Sequence, residues 1–204
     1  MTKIVGLTGG IATGKTTVSN ILRQAGIPVI DADQVARQVQ TPDSVGLTRI
    51  VKVFGPKVLL PTGELNRSAL AKIVFNDKEA LKKLNEILQP LIYDAIFAQV
   101  DTLKKQEIPL VVLDVPLLFE QHYDEDCDYI VVVYTDPQTQ LKRLMARDHC
   151  SKEEAQTRIA AQMPLSEKEA RADFKINNNG DQVALQKQVA SLINQLKAKQ
   201  NVVK

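Results

Sequence analysis

Short runs of consecutive apolar residues alternate along this chain with stretches in which apolar positions recur every three or four residues. Lys3 to Leu7 is a β-prone run that ends in glycines, and Thr16 to Gln24 reads as a helix stopped by Gly26. Pro28 to Ile30 is a second short strand, closed by Asp31-Ala32-Asp33, and Gln34 to Gln40 continues as a helix toward Pro42. From Asp43 to Gln106 the spacing turns helical, with apolar residues such as Leu84, Leu88, Ile92 and Ile96. Turn signals at Pro56, Pro61-Thr62-Gly63 and Pro90 interrupt it, which predicts a helical insert.

Ile108 to Leu113 and Asp128 to Tyr134 are continuous β-rich runs, as parallel strands covered on both faces require. Thr135-Asp136-Pro137 has helix-start chemistry, and two charged helices follow, Gln138 to Arg147 and Lys152 to Gln162, where a lid would sit. Phe174 to Ile176 is a last strand, Asn177 to Gly180 a turn, and Val183 to Leu196 a closing helix. The class is α/β, with five strands in the core.

Composition narrows the functional classes. At 204 residues one domain is the expectation, and 44% apolar with 25% charged residues is ordinary globular usage. A net charge of +2 without blocks of like charge gives no electrostatic footprint for gripping nucleic acid or an anionic membrane. Cys127 and Cys150 form no C-x-x-C and are too few to staple the chain, so a reducing cytoplasm is expected. The first residues become glycine-rich before an apolar signal region forms, and no eighteen-residue apolar run follows, so neither secretion nor membrane insertion is expected.

The strongest chemical signal is Gly9-Gly10-Ile11-Ala12-Thr13-Gly14-Lys15-Thr16, which fits G-x-x-x-x-G-K-[ST] between a strand and a helix. Backbone N–H groups of Gly10, Ala12, Thr13, Gly14, Lys15, Thr16 and Thr17 are the candidates for holding the phosphates of a nucleotide at a helix N-terminus. Lys15 is placed to reach the transferring phosphoryl oxygens, and Thr16 to bind Mg²⁺ through its hydroxyl. Asp114 ends a strand and suits the carboxylate that orients the same ion. Asp31 and Asp33 follow the second strand. Asp33 either meets a phosphoryl acceptor or N-caps the helix that begins at Gln34. Arg143 and Arg147, at i and i+4, together with Arg158, either neutralise charge on the transferred group or pair with Asp148, Glu153 and Glu154. His122 and His149 lack metal-ligand spacing and are read as surface residues.

Taken together and in order, these segments resemble the dephospho-coenzyme A kinase family. The residues that carry the likeness are Val29-Ile30-Asp31-Ala32-Asp33 with Ala36-Arg37, Gly63-Glu64-Leu65-Asn66-Arg67 and Asp114-Val115-Pro116-Leu117-Leu118-Phe119-Glu120. Arg143-Leu144 with Arg147, Arg158-Ile159 with Gln162, and Ala172-Asp173-Phe174 continue it. The resemblance implies a P-loop kinase fold, with a parallel five-stranded core, a helical substrate-binding insert and a lid. It places the core at about residues 1–41, 107–137 and 172–204, the insert at about 42–106 and the lid at about 138–171 of a single kinase domain.

It also implies transfer of the ATP γ-phosphoryl group to the ribose 3′-hydroxyl of dephospho-coenzyme A, with Mg²⁺. A cytoplasmic monomer is favoured, with an oligomer left open. Asp33 would be the base or orienting carboxylate, Arg37 would hold the acceptor, and Leu117, Leu118 and Phe119 would line its site. Arg143 and Arg147 would belong to the lid, and the Asn177 to Asn179 turn would lie near the adenine, with the choice among its amides left open.

Two positions depart from the family pattern. Ala12 stands where another glycine is usual, which is tolerable if φ is negative there. Gln89 precedes Pro90 where histidine is common, so no imidazole titrates at that position. Other P-loop readings remain open: a kinase for another small acceptor such as a nucleoside monophosphate, or a catalytically silent nucleotide-binding module. A GTP-binding switch should carry N-K-x-D, which does not occur, and the D-x-x-G at Asp43-Ser44-Val45-Gly46 reads as loop rather than strand end.

Overall fold

A computed structural model of the chain describes residues 2–75 and 77–201. The chain divides into two compact units, Met1–Ile30 with Leu103–Lys204, and Asp31–Thr102.

The first unit is built on a parallel five-stranded sheet of β1 (Lys3–Gly9), β2 (Val29–Asp31), β3 (Leu110–Asp114), β4 (Tyr129–Tyr134) and β5 (Phe174–Asn177), in the order β2-β3-β1-β4-β5. β2 contributes its last residue, Asp31, to the second unit. β1 is central, with Leu7 opposite Asp114 on β3 and Gly9 opposite Val133 on β4. A central strand buries both faces, which is why Ile4, Val5 and Leu7 are all in the core.

Two helices supply much of one face. α1 (Lys15–Gln24) contributes Val18 and Leu22, and α9 (Gln182–Asn201) contributes Leu185, Val189, Leu192 and Leu196, a stripe at helical spacing. Between β4 and β5 lie α6 (Pro137–Asp148), α7 (Lys152–Ala160) and α8 (Leu165–Ala170). α6 starts as its sequence predicts, with the Asp136 carboxylate accepting from Thr139 N–H at 2.9 Å and Pro137 in the first turn. α7 opens on a capping box between Ser151 and Glu154. The short α8 has no counterpart in the sequence reading, because six residues do not display a period.

The second unit holds α2 (Ala32–Gln38), α3 (Val45–Phe54), α4 (Arg67–Phe75) and most of α5 (Lys78–Lys105). Ser44 accepts from Leu47 N–H at 3.1 Å and caps α3, so the Asp43 to Gly46 segment is a helix start rather than a loop.

Pro90 does not interrupt the helix: α5 runs through it without a break. Its stripe Ala80, Leu84, Leu88, Ile92, Ile96, Val100 is buried on both sides of the proline. Burial at about 1.5–3 kcal/mol for each large aliphatic side chain outweighs the roughly 3 kcal/mol that an interior proline costs. Among the described residues no helix is long and apolar enough to cross a membrane.

Candidate active site

The loop between Gly9, the last residue of β1, and Lys15, the first of α1, is shaped by backbone chemistry. Gly14 is the N-cap of α1 at φ 92° and has no side chain with which to cap it. The first N–H groups of α1, those of Lys15 and Thr16, have no intrahelical partner by construction and carry the positive end of the helix dipole. Such an N-terminus suits the phosphates of a nucleotide.

The loop's carbonyls, by contrast, are taken up by donors, one within the loop and two outside it. Gly10 C=O accepts from both N–H and Oγ1 of Thr13, at 3.2 and 2.8 Å. Gln140 Nε2 donates to Ile11 C=O at 2.9 Å, and Asn178 Nδ2 donates to Thr13 C=O at 2.8 Å. Ile11 N–H donates to Gln162 Oε1 at 2.9 Å. These approaches require glycine. A Cβ on Gly10 would lie 2.6 Å from Gln140 Nε2, and one on Gly14 would lie 2.0 Å from Asn178 Nδ2.

Ala12 corrects the expectation drawn from its sequence, because its φ is +62°. The left-handed region costs an alanine roughly 1–2 kcal/mol, of which glycine would recover part after its own larger loss of chain entropy. Ala12→Gly is therefore expected to stabilise the protein by about 0.5–1 kcal/mol, a rise of roughly 1–4 °C in melting temperature for a chain of this size. Calorimetry checks this, and an unchanged or lower midpoint would mean that the loop stores no strain at Ala12.

Lys15 Nζ forms an ion pair with Asp114 Oδ1. Asp114 is 2% exposed at the end of β3, while Thr16 is exposed in the first turn of α1. One carboxylate and one hydroxyl are hard oxygen donors of the kind Mg²⁺ takes, an ion that fills its remaining positions with water and substrate phosphate rather than with a protein cage. Among the described residues no group of three or more His, Cys, Asp or Glu suited to a metal occurs.

The arginines divide. Arg143 Nη1 donates to Asn178 C=O at 2.9 Å, which ties α6 to the segment after β5. Arg147 makes a two-pronged contact with Asp148 at 2.7 and 3.0 Å, and Arg158 reaches the same carboxylate at 2.6 Å. Of the three acids weighed for these arginines, Asp148 takes both, while Glu154 closes the α7 capping box. The hydrogen bond from Arg147, assisted by Arg158, holds the Asp148 carboxyl down at about 2 against an ordinary 3.8. A lowered carboxyl contributes its stabilisation above its ordinary range and loses it as pH falls through the folded value. The triad is thus expected to stay intact from neutral pH to about pH 4 and to open toward pH 2. A carboxyl titration followed by NMR should give a midpoint near 2 for Asp148. Arg147→Gln should raise it toward 3.8, and an unmoved midpoint would show that the pair does not form in solution.

Each asparagine of the 177–179 turn has its own engagement. Asn177 exchanges hydrogen bonds with Gln188 through its backbone, and its Oδ1 accepts from Asn179 N–H. Asn178 is the buried one that reaches the phosphate loop, and Asn179 Oδ1 accepts from Thr135 Oγ1 and Asp136 N–H. The first residue of the turn, Asn177, therefore neighbours the one that touches the loop.

In the segment after Asp114, Leu118 is 0% and Phe119 3% exposed, with Arg171 lying 4.2 Å over the Phe119 ring, so Leu117 alone of the three keeps surface. Glu120 pairs with Lys168 at 2.9 Å, although Lys168 is wholly buried, and Lys168 Nζ also donates to Pro116 C=O at 3.1 Å. A lysine in a six-residue helix gives no periodic signal, and Lys168 was not legible in sequence. Gln140 was equally silent, a polar residue in the amphipathic pattern of α6.

In the second unit, the Asp31 carboxylate accepts from Gln34 N–H at 3.0 Å and is the N-cap of α2. Asp33 lies exposed in the first turn of that helix, with Arg37 one turn later on the same face, also exposed. The capping role that competed for Asp33 thus belongs to Asp31. Gln89 is half-buried on α5.

Residues 3–184 match the sequence pattern of the family described as dephospho-CoA kinase. The chain is 48% identical over 193 residues to a dephospho-CoA kinase of Listeria monocytogenes, covering 95% of this chain and 96% of that one. It is 48% identical over 178 residues to one from Arabidopsis thaliana, covering 87% of this chain and 77% of that one. The solved structure of a dephospho-CoA kinase from Campylobacter jejuni superimposes with a TM-score of 0.75 at 32% identity, over 96% of this chain and 98% of that one.

Proposed function

Since this chain belongs to the dephospho-CoA kinase family, and is thereby an ATP-dependent kinase of coenzyme A biosynthesis, we propose that it moves the γ-phosphoryl group of ATP to the ribose 3′-hydroxyl of dephospho-coenzyme A. The products are coenzyme A and ADP. The observation that carries this reading is the phosphate loop itself, whose lysine is paired with a buried carboxylate at the end of the neighbouring strand.

In this reading the acceptor oxygen attacks the γ-phosphorus while the bond from that phosphorus to the bridging oxygen breaks, and ADP leaves. Asp33 takes the proton of the acceptor hydroxyl, and Arg37, one helical turn away, steadies the acceptor's negative charge. Lys15 turns from Asp114 to the transferring oxygens, and the amides at the start of α1 hold the phosphates that stay with ADP. Arg143 and Arg147 meet charge that develops on the transferred group, which requires Arg147 to exchange Asp148 for phosphate oxygen. Thr16 and Asp114 would hold Mg²⁺, which when bound neutralises phosphate charge. Asn177 belongs to the adenine side of this reading, with Asn178 its neighbour on the loop. Leu117 offers the acceptor an apolar surface, with Leu118 and Phe119 supporting it from the core. The proposed setting is a cytoplasmic monomer.

Phosphate transfer from ATP, measured across dephospho-coenzyme A, nucleoside monophosphates and small alcohols, tests the acceptor. Turnover with dephospho-coenzyme A should exceed that with every other acceptor by at least two orders of magnitude, the scale on which a site built around polar contacts rejects compounds lacking them. Comparable turnover with a nucleoside monophosphate would replace this reading by the rival kinase.

A further inference from the structure

Both backbone groups of a single loop residue, Ile11, are held by glutamines that bracket the arginine-bearing segment. Gln140 lies on α6 just before Arg143, and Gln162 lies in the turn just after α7, beyond Arg158. Gln140 donates to Ile11 C=O and Gln162 accepts from Ile11 N–H, each at 2.9 Å. A carbonyl can only accept and an N–H can only donate, so the two amide side chains have fixed and opposite orientations.

Peptide planarity converts these grips into directions. In a trans peptide the C=O of one residue and the N–H of the next point opposite ways, and the structure contains no cis peptide among the described residues. Holding Ile11 C=O outward from the α6 side therefore turns the Ala12 N–H inward, toward the phosphates the loop serves. Gln140 is 5% exposed and lies against Gly10 so closely that a Cβ there would meet its Nε2, so water does not substitute for it readily. Gln162 is followed by Met163, whose N–H donates to Glu120 Oε1 at 3.0 Å, so the far end of the segment is fixed independently.

We propose that Gln140 and Gln162 are positioning residues for the nucleotide: they hang the segment carrying Arg143, Arg147 and Arg158 from Ile11, and Gln140 aims the Ala12 amide at the phosphates. This rests on the reading that the loop binds nucleotide phosphate, and not on the identity of the acceptor. The arginines and the phosphate loop are then set by one shared residue, so a shift of the lid segment re-aims an amide as well as moving the cations.

The test uses one chemical change at two places. Glutamate cannot donate to Ile11 C=O but can accept from Ile11 N–H. Gln140→Glu therefore breaks its bond while Gln162→Glu keeps its own, and both add the same charge near the phosphates. ADP affinity, measured by calorimetry on the whole protein, should fall at least tenfold more in Gln140→Glu than in Gln162→Glu. The uncharged Gln140→Met should weaken ADP about tenfold, the scale for one buried hydrogen bond, while AMP, which lacks the β-phosphate, keeps its affinity within about twofold.

Equal losses in the two glutamate variants would reduce the effect to charge and overturn the proposal. So would parallel losses for ADP and AMP in Gln140→Met, which signal general loosening, or unchanged ADP binding in that variant. Gln140→Met carries the test if Gln140→Glu fails to fold. Because ADP binding does not depend on the acceptor, failure of the proposed substrate in the acceptor assay would leave this contrast standing, and failure of the contrast would leave the substrate standing.

Discussion

Lys15→Ala is expected to reduce phosphoryl transfer by roughly 10³-fold or more, the range for removing a charge aimed at the transition state. It is also expected to destabilise the protein, which a loop lysine would not do if it only waited for phosphate. Lys15 is paired with Asp114, which is 2% exposed, and deleting the cation leaves that carboxylate buried without its partner. The cost is about 2–3 kcal/mol, below the roughly 3–5 kcal/mol for a fully buried pair because the lysine side chain keeps 15% of its surface. The double variant Lys15→Ala/Asp114→Asn separates the two effects: stability should recover most of its loss while turnover stays low. If the single variant melts like the parent, the ion pair contributes nothing to the fold. If it turns over normally, the phosphate reading of the loop fails.

Asp33→Asn carries the next largest expected effect. Asparagine is as good an N-cap as aspartate, and in any case Asp31 is the cap of α2, while the Asp33 charge adds a favourable dipole interaction of about 0.3–1 kcal/mol at the helix start. A proton acceptor, by contrast, is lost outright. Turnover with dephospho-coenzyme A should fall roughly 10²-fold or more, with melting temperature and ADP affinity near those of the parent. Normal turnover would remove Asp33 from the chemistry even in the right kinase. Weakened nucleotide binding would assign it to the phosphates instead.

The sequence made the fold legible where burial has a period. β1, β3 and β4 are continuous apolar runs because both faces of the sheet are covered, and α1 and α9 show stripes because one face is. It failed where packing overrode a local rule, as at Pro90, whose cost is smaller than the gain from the buried stripe that continues past it. The phosphate loop was legible because its glycines answer to close approaches by other groups, yet the same pattern could not tell that Ala12 sits at positive φ.

The 177–179 turn shows a different limit. Three identical side chains in a row carry no register, and it is the ladder of β5 on β4, ending at Asn177 opposite Tyr134, that selects Asn178 for the loop. Gln140 was hidden for a related reason, and so was the partner of Gln162, although that residue stands in the family pattern. Their partners are backbone groups more than a hundred residues away, and a glutamine that serves a distant peptide looks in sequence like one that serves water.

The strand order carries a consequence for how the chain folds. β3 lies between β1 and β2, so neither strand of the first thirty residues has a hydrogen-bonding neighbour until Leu110–Asp114 has been made and brought back. The whole of Asp31–Thr102 is synthesised in between. Closing that span as a loose loop costs roughly 4 kcal/mol of chain entropy, and the non-local contacts that repay it come only after closure. A span that has already folded into its helices presents a far shorter loose length to be closed. The insert is thus expected to form ahead of the sheet, and the phosphate loop to take its final shape only once β3 has closed beside β1, an order that pulsed hydrogen exchange during refolding would reveal.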